Sequence, residues 1–219
     1  MCTLLAIFQV QFSKNRLISR KMREIIIATG NVHKVQEIQS ILAPYQIRVL
    51  PAGAVGRMPT VLEDGQTFAE NAALKALAGA RAWGRIVLAD DSGLEVQALD
   101  GAPGVHSARY AGESGNDAQN LAKLLQNMAG RTDRQARFVC VIALAGPQGL
   151  LGRAEGEVQG HIAEEPSGCG GFGYDPVFIP EGYQQSFAAL PEAVKNTLSH
   201  RARALQAALA QGLFSALPD

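Results

Sequence analysis

From Arg23 onward, apolar runs rich in β-branched residues alternate with stretches whose apolar positions recur at helical spacing, the pattern of strands interleaved with helices. Glu24 to Thr29 (EIIIAT) predicts a strand buried on both faces, because successive isoleucines leave no polar side. Val32 to Leu42 predicts a helix, with Val35, Ile38, Ile41 and Leu42 on one face and Pro44 just beyond its end. Ile47 to Leu50 is a short strand. A loop holding Pro51, Gly53, Gly56 and Pro59 then leads to a long helix from Phe68 to Trp83, closed by Gly84. Ile86 to Ala89 is another strand, followed by Asp90-Asp91-Ser92-Gly93, and Gly101 to Gly112 is loop-like. Asp117 to Met128 is helical, and Arg137 to Ala145 with Leu150 to Gln159 forms a hairpin around Gly146-Pro147, which makes part of the sheet antiparallel. Ser167 to Tyr174 is a glycine-dense loop, and a last helix from Ser199 to Ala210 ends at Gly212.

The expected class is therefore α/β with a mixed sheet, and 219 residues suit one domain with one sizeable core. A hydrophobic share of 47% and a charged share of 18% place the chain among globular proteins. The first 21 residues stand apart: they carry Lys14, Arg16, Arg20 and Lys21 and no acid. Their apolar run, Met1 to Val10, is about half the ~20 residues that span a bilayer, and the basic residues follow it, against the order of a secretory signal. Residues 1–21 are expected to be a non-structural extension, such as an upstream start codon adds, before a domain over 22–219; a targeting or regulatory segment is the alternative. Formal net charge is zero and no basic cluster occurs beyond that extension, which argues against a nucleic-acid partner; no membrane span is visible. Cys2, Cys140 and Cys169 share no CxxC-type spacing, which fits reduced thiols in a cytoplasm.

Four places concentrate chemistry. Thr29-Gly30-Asn31-Val32-His33-Lys34 joins the end of a strand to the start of a helix, where unpaired amides and the helix dipole suit a phosphate; it equally suits an ordinary helix capped by Asn31. It is not a P-loop. Glu63, Asp64, Glu70, Asp90 and Asp91 form an acidic set, and Glu70, Asn71 and Lys75 share the polar face of the long helix. Adjacent carboxylates such as Asp90 and Asp91 repel one another, and a divalent cation relieves that repulsion; an exposed turn is the plainer alternative. The Gly170–Pro176 run carries Phe172 and Tyr174 on a glycine-freed backbone able to lay a ring against a nucleobase, or to serve as a tight turn with two core aromatics. Lys195 with Ser199-His200-Arg201 gathers polar residues at the entry of the last helix.

Taken in order, TGNxxK, ExxxTFxENAxxKA from Glu63, ADDSGL, GAPGVxSARYAG, GGFGYDPxF and SHR closely resemble the inosine triphosphate pyrophosphatase family, over about Met22 to Gly212. The resemblance implies a two-lobed α/β fold with a long bent mixed sheet and a nucleotide cleft between lobes, usually a homodimer. It also implies Mg2+ and conversion of dITP, ITP and XTP to monophosphate and pyrophosphate. On this chain it makes Thr29, Gly30, Asn31 and Lys34 triphosphate contacts, Glu63 and Asp91 metal ligands, Asp91 the proton acceptor and Ser92 a substrate contact. Phe172, Gly173, Tyr174 and Asp175 would line the nucleoside pocket with Lys195, His200 and Arg201, the last two offering donors to a 6-oxo group. His106 departs from the family, whose members often carry an aromatic residue there. Rival readings are a nucleotide-binding regulator without turnover and an enzyme acting on modified pyrimidine nucleotides.

Overall fold

The computed structural model describes residues 22–112 and 116–218, so the expected extension at residues 1–21 lies outside the described residues. Six strands, β1 (Arg23–Ile27), β2 (Ile47–Pro51), β3 (Val87–Val96), β4 (Gln135–Gly146), β5 (Gly149–Ile162) and β6 (Phe178–Pro180), form one mixed sheet in the order β2-β1-β3-β4-β5-β6. The β2-β1-β3 portion is parallel because two helices, α1 (Val32–Leu42) and α2 (Phe68–Trp83), act as its crossovers. The remaining pairings are antiparallel, with the long β4–β5 hairpin at their centre. Three further helices are α3 (Asp117–Asn127), α4 (Glu192–Leu198) and α5 (His200–Ala210).

Strand alternation sorts the core into two layers. Ile25, Ile27, Leu88, Cys140 and Ile142 face α1 and α5, against Ile38, Leu42, Ala202 and Leu205. Ile26, Val87, Ala89, Val139 and Val141 face α2, whose Ala72, Ala76 and Ala80 allow close approach. Each fully buried branched side chain of these layers contributes about 1.5–3 kcal/mol. A third cluster, including Phe138, Phe178 and Phe187, packs below α3 through Leu124 and Met128. α5 lies on β5 at Gly156, where a Cβ would run into the backbone of His200 and Ala204; that approach brings His200 and Arg201 onto the sheet.

The structure departs from the sequence pattern mainly at β3. The strand continues through Asp90-Asp91-Ser92-Gly93 to Val96, paired with β4 along its whole length, where the strand was expected to end at Ala89. A polar tetrapeptide resembles a turn, but here cations on both faces neutralise its carboxylates within the sheet. The expected loop at Gly101–Gly112 contains a 3-10 helix, Gly104–Arg109, in which His106 is exposed. β6 and α4 have no counterpart in the periodicity, being too short to display one.

Candidate active site

The turn after β1 begins at Ala28, whose N–H donates to Leu88 O (2.8 Å) and ties the turn to β3. Thr29 Oγ1 accepts from Asn31 N–H (3.1 Å), and Asn31 Oδ1 accepts from the N–H groups of His33 (2.9 Å) and Lys34 (3.2 Å). Asn31 is thus the N-cap of α1, as its type favours. The cap occupies two amides of the first turn that the bare helix start would offer to a phosphate. Lys34 projects from that turn to Asp90, with Nζ 3.0 Å from Oδ2.

Asp90 and Asp91 are neighbours in β3, so their side chains leave opposite faces of the sheet. The expected mutual repulsion relieved by a shared cation is therefore replaced by separate neutralisation. Asp90, 1% exposed, meets Lys34 and the Arg201 guanidinium (Nη2 at 3.1 Å) and also accepts from Ser92 Oγ (3.3 Å). Burial alone would raise its pKa, but Lys34 and Arg201 outweigh burial and hold the carboxyl well below the usual range. Arg201 is fully committed in this layer: Nη1 pairs with Glu37 (2.5 Å) of α1, Nε and Nη2 reach Asp90, and Nη2 also donates to Ser92 Oγ (3.0 Å).

On the opposite face, Lys75 of α2 reaches Asp91 Oδ1 at 2.7 Å and Glu63 Oε2 at 3.2 Å. Burial pushes the pKa of Asp91 up despite the opposing pull of Lys75. Burial opposes the charge on Lys75, yet Asp91, Asp90 and Glu63 together raise its pKa, so it stays an ammonium. Two carboxylates from distant segments converge on one cation, a donor set that suits a divalent metal completed by water and phosphate oxygens. Among the described residues no group of three or more His, Cys, Asp or Glu side chains could hold a metal on its own. Glu70, in contrast, accepts from the N–H groups of Gln66 (2.7 Å) and Thr67 (3.1 Å) in the capping box that starts α2.

The glycine loop is held by its own acid. Asp175 Oδ2 accepts from Phe172 N–H (2.8 Å) and pairs with Lys195 Nζ of α4 (2.6 Å). Burial raises the Asp175 pKa against the pull of Lys195. Gly171 has φ +70°, and a Cβ there would strike the Asp175 carboxylate. Tyr174 donates its hydroxyl to Ser107 O (2.8 Å), and Gly173 N–H donates to Asp117 Oδ2 (2.8 Å) at the start of α3. A cavity of about 100 Å³ lies among Asn31, Lys34, Ser92, Tyr174, His200 and Arg201, with Phe172, Gly173 and Lys195 also on its wall. A second, of about 250 Å³, opens on the other side of Phe172 and Lys195, toward His33 and Glu37. His200 stacks on Phe138 (4.7 Å, 12°), and its Nδ1 is buried without a hydrogen-bond partner in the protein. Burial, with Arg201 and Lys195 nearby, lowers the His200 pKa well below its ordinary value, so the ring is neutral.

The model of the Ham1 family matches residues 25–211. The chain belongs to the Ham1 family. Among its relatives within that family, the dITP/XTP pyrophosphatase of Bacillus licheniformis is 49% identical over 187 residues, 84% of this chain and 95% of the relative. That of Desulforamulus reducens is 50% identical over 188 residues, 85% of this chain and 94% of the relative. Among solved structures, a HAM1 protein from Coxiella burnetii superposes with TM-score 0.77 at 41% identity, covering 89% of this chain and 100% of that one. The Staphylococcus aureus Ham1 protein gives 0.75 at 42% identity, covering 87% and 99%.

Within this Ham1 frame, the expected site residues fall into three places. Asn31, Lys34, Ser92, Phe172, Gly173, Tyr174, Lys195, His200 and Arg201 line the smaller cavity. Asp175 stands behind its wall, bonded to Phe172 N–H and Lys195, and Thr29 and Gly30 form the turn that carries Asn31. Glu63 and Asp91 meet across Lys75 on the α2 face of β3. Sequence reasoning assigned no role to Lys75, Glu37 or Asp117. Lys75 carried a visible signal, its place on the polar face of α2, whereas Glu37 sits beside Ile38 in a helix whose neighbours are not written in its own segment.

Proposed function

We propose that this chain hydrolyses non-canonical purine nucleoside triphosphates, of the dITP, ITP and XTP class, to the monophosphate and pyrophosphate. The observation that carries the reading is the convergence of Asp91 and Glu63 on the Lys75 ammonium at one face of β3, next along the strand to Ser92, which lines a cavity walled by Lys34, Phe172, Lys195 and His200. The names of the Bacillus licheniformis and Desulforamulus reducens relatives support it. Asp91 accepts the proton of the attacking water, a role suited to a carboxylate whose pKa burial has raised. Glu63 and Asp91 would hold Mg2+, which supplies charge neutralisation on the phosphates when bound. Lys34 turns from Asp90 to a phosphate oxygen at the β1–α1 turn, next to Thr29, Gly30 and Asn31. Phe172 gives the base a face to lie on, with Gly173, Tyr174 and Asp175 setting the loop. His200, a neutral ring on the cavity wall, donates its one N–H to a 6-oxo group, where the amino group of adenine would leave that donor unpaired. Arg201 supports this wall by holding Glu37, Asp90 and Ser92.

The same reading makes the working form a homodimer in the cytoplasm, with no nucleic-acid or membrane partner. No helix among the described residues is long and apolar enough to cross a membrane. Pyrophosphate release measured on dITP, XTP, dUTP and dTTP with Mg2+ tests the activity. Turnover should favour the two purines by at least about 10-fold in kcat/KM. Preference for a pyrimidine, or binding of dITP without pyrophosphate release, would overturn it.

A further inference from the structure

The Phe172 ring projects from a glycine loop between the two cavities, and its edge and faces meet polar groups: Lys195 Nζ lies 5.0 Å and Arg201 Cζ 5.7 Å from its centroid. Besides the bonds of its Asp175 to Lys195 and of its Tyr174 to Ser107, two contacts from exposed residues outside the loop hold it. On one side the His33 imidazole of α1 stacks on Phe172, with centroids 5.5 Å apart and planes inclined by 16°. On the other, Asp117 Oδ2 accepts from Gly173 N–H at 2.8 Å. Neither residue is required by the core, since both are exposed. Each is nevertheless held where it stands. His33 N–H is bound by the Asn31 cap, and the Asn116–Gln119 capping box serves the amides of Asn116 and Gln119, while the Asp117 carboxylate reaches across to the loop.

We infer that His33 and Asp117 are positioning residues for nucleoside binding, clasping the Gly170–Asp175 loop between α1 and α3 so that Phe172 is set before a base arrives. The inference rests on the nucleotide reading above only for the identity of the ligand. A ring held in place beforehand binds more tightly than one that must be ordered on binding, so loss of either contact should act on KM more than on kcat. His33→Ala and Asp117→Ala should each raise KM for dITP by about 5–10-fold and lower kcat by no more than about threefold. His33→Phe keeps a stacking ring and Asp117→Asn keeps an acceptor oxygen, so both should recover most of the loss.

Hydrogen exchange on the free protein separates this inference from the assignment of activity. The Gly173 amide should exchange at least about 10-fold faster in Asp117→Ala than in the wild type and regain protection in Asp117→Asn. If the wild type releases no pyrophosphate from dITP while Gly173 exchange still responds to Asp117, the pyrophosphatase reading fails and the clasp stands. If the wild type turns dITP over but both alanine variants keep KM within about twofold, the clasp is overturned. Unchanged Gly173 exchange in Asp117→Ala overturns it as well.

Discussion

The two faces of β3 handle a buried carboxylate differently. On the α1 and α5 face, Asp90 is surrounded by Lys34, Arg201 and Ser92, with Glu37 completing the charge balance around Arg201. On the α2 face, one residue along, Asp91 shares the single ammonium of Lys75 with Glu63, and Glu63 is itself half-exposed. The cations win over burial at Asp90 and lower its pKa, while burial wins at Asp91 and raises it. A carboxylate that meets two cations on one oxygen is a structural anchor for those cations. One that shares a single partner is a better proton acceptor and a better ligand for an incoming cation.

The sharpest break of this comparison removes Arg201. Because it leaves Glu37 and Asp90 buried beside a cavity, Arg201→Ala should cost about 3–5 kcal/mol of stability, measured by urea unfolding. A loss below about 1 kcal/mol would show that the α5 face does not depend on this network.

Next in size is Asp91→Asn, which keeps the shape and removes the proton acceptor. We expect kcat to fall at least ~100-fold with the fold retained. Stability should drop slightly, since Lys75 loses its nearer partner and Asp90, on the other face, gains no relief from repulsion. The acid side of the wild-type rate profile should also move. As pH falls, Asp91 takes up its proton at a higher pH than the ordinary carboxylate value of about 3.9, so activity should begin to decline above that value. More than about a tenth of wild-type kcat in Asp91→Asn would place the proton acceptor elsewhere.

The smallest effect sharpens the division between phosphate and base. Lys34→Ala should weaken dITP, XTP and GTP alike, by about 10-fold in kcat/KM, because its side chain leaves the helix-start turn and its ammonium, held on Asp90, is the group assigned to a phosphate oxygen. A loss confined to one base would move Lys34 to the base side of the cavity.

Much of this arrangement was legible along the chain. Asn31 reads as an N-cap from its type and position, and it is one; the isoleucine run of β1 reads as buried on both faces, and it is. The long helix with its polar face, the β4–β5 hairpin and the last helix starting at Ser199 follow from periodicity and caps, signals that act over a few residues. Asp90-Asp91 did not reveal its place, since a polar tetrapeptide is a turn unless distant cations neutralise it within a sheet. Those cations come from 56 residues earlier in the case of Lys34, 111 later for Arg201 and 16 earlier for Lys75.

What the sequence determined by itself was the longer elements, from β1 and α1 to the β4–β5 hairpin and α5, the caps at their starts and the residue types available for chemistry. Tertiary structure decided which face of β3 each carboxylate leaves, which cation each meets, and that Asp117 and His33 reach the same loop from different helices. The physical reason is range: hydrogen bonds that start a helix close within one turn of chain, whereas an ion pair across a sheet exists only once β3, α2 and α5 have packed.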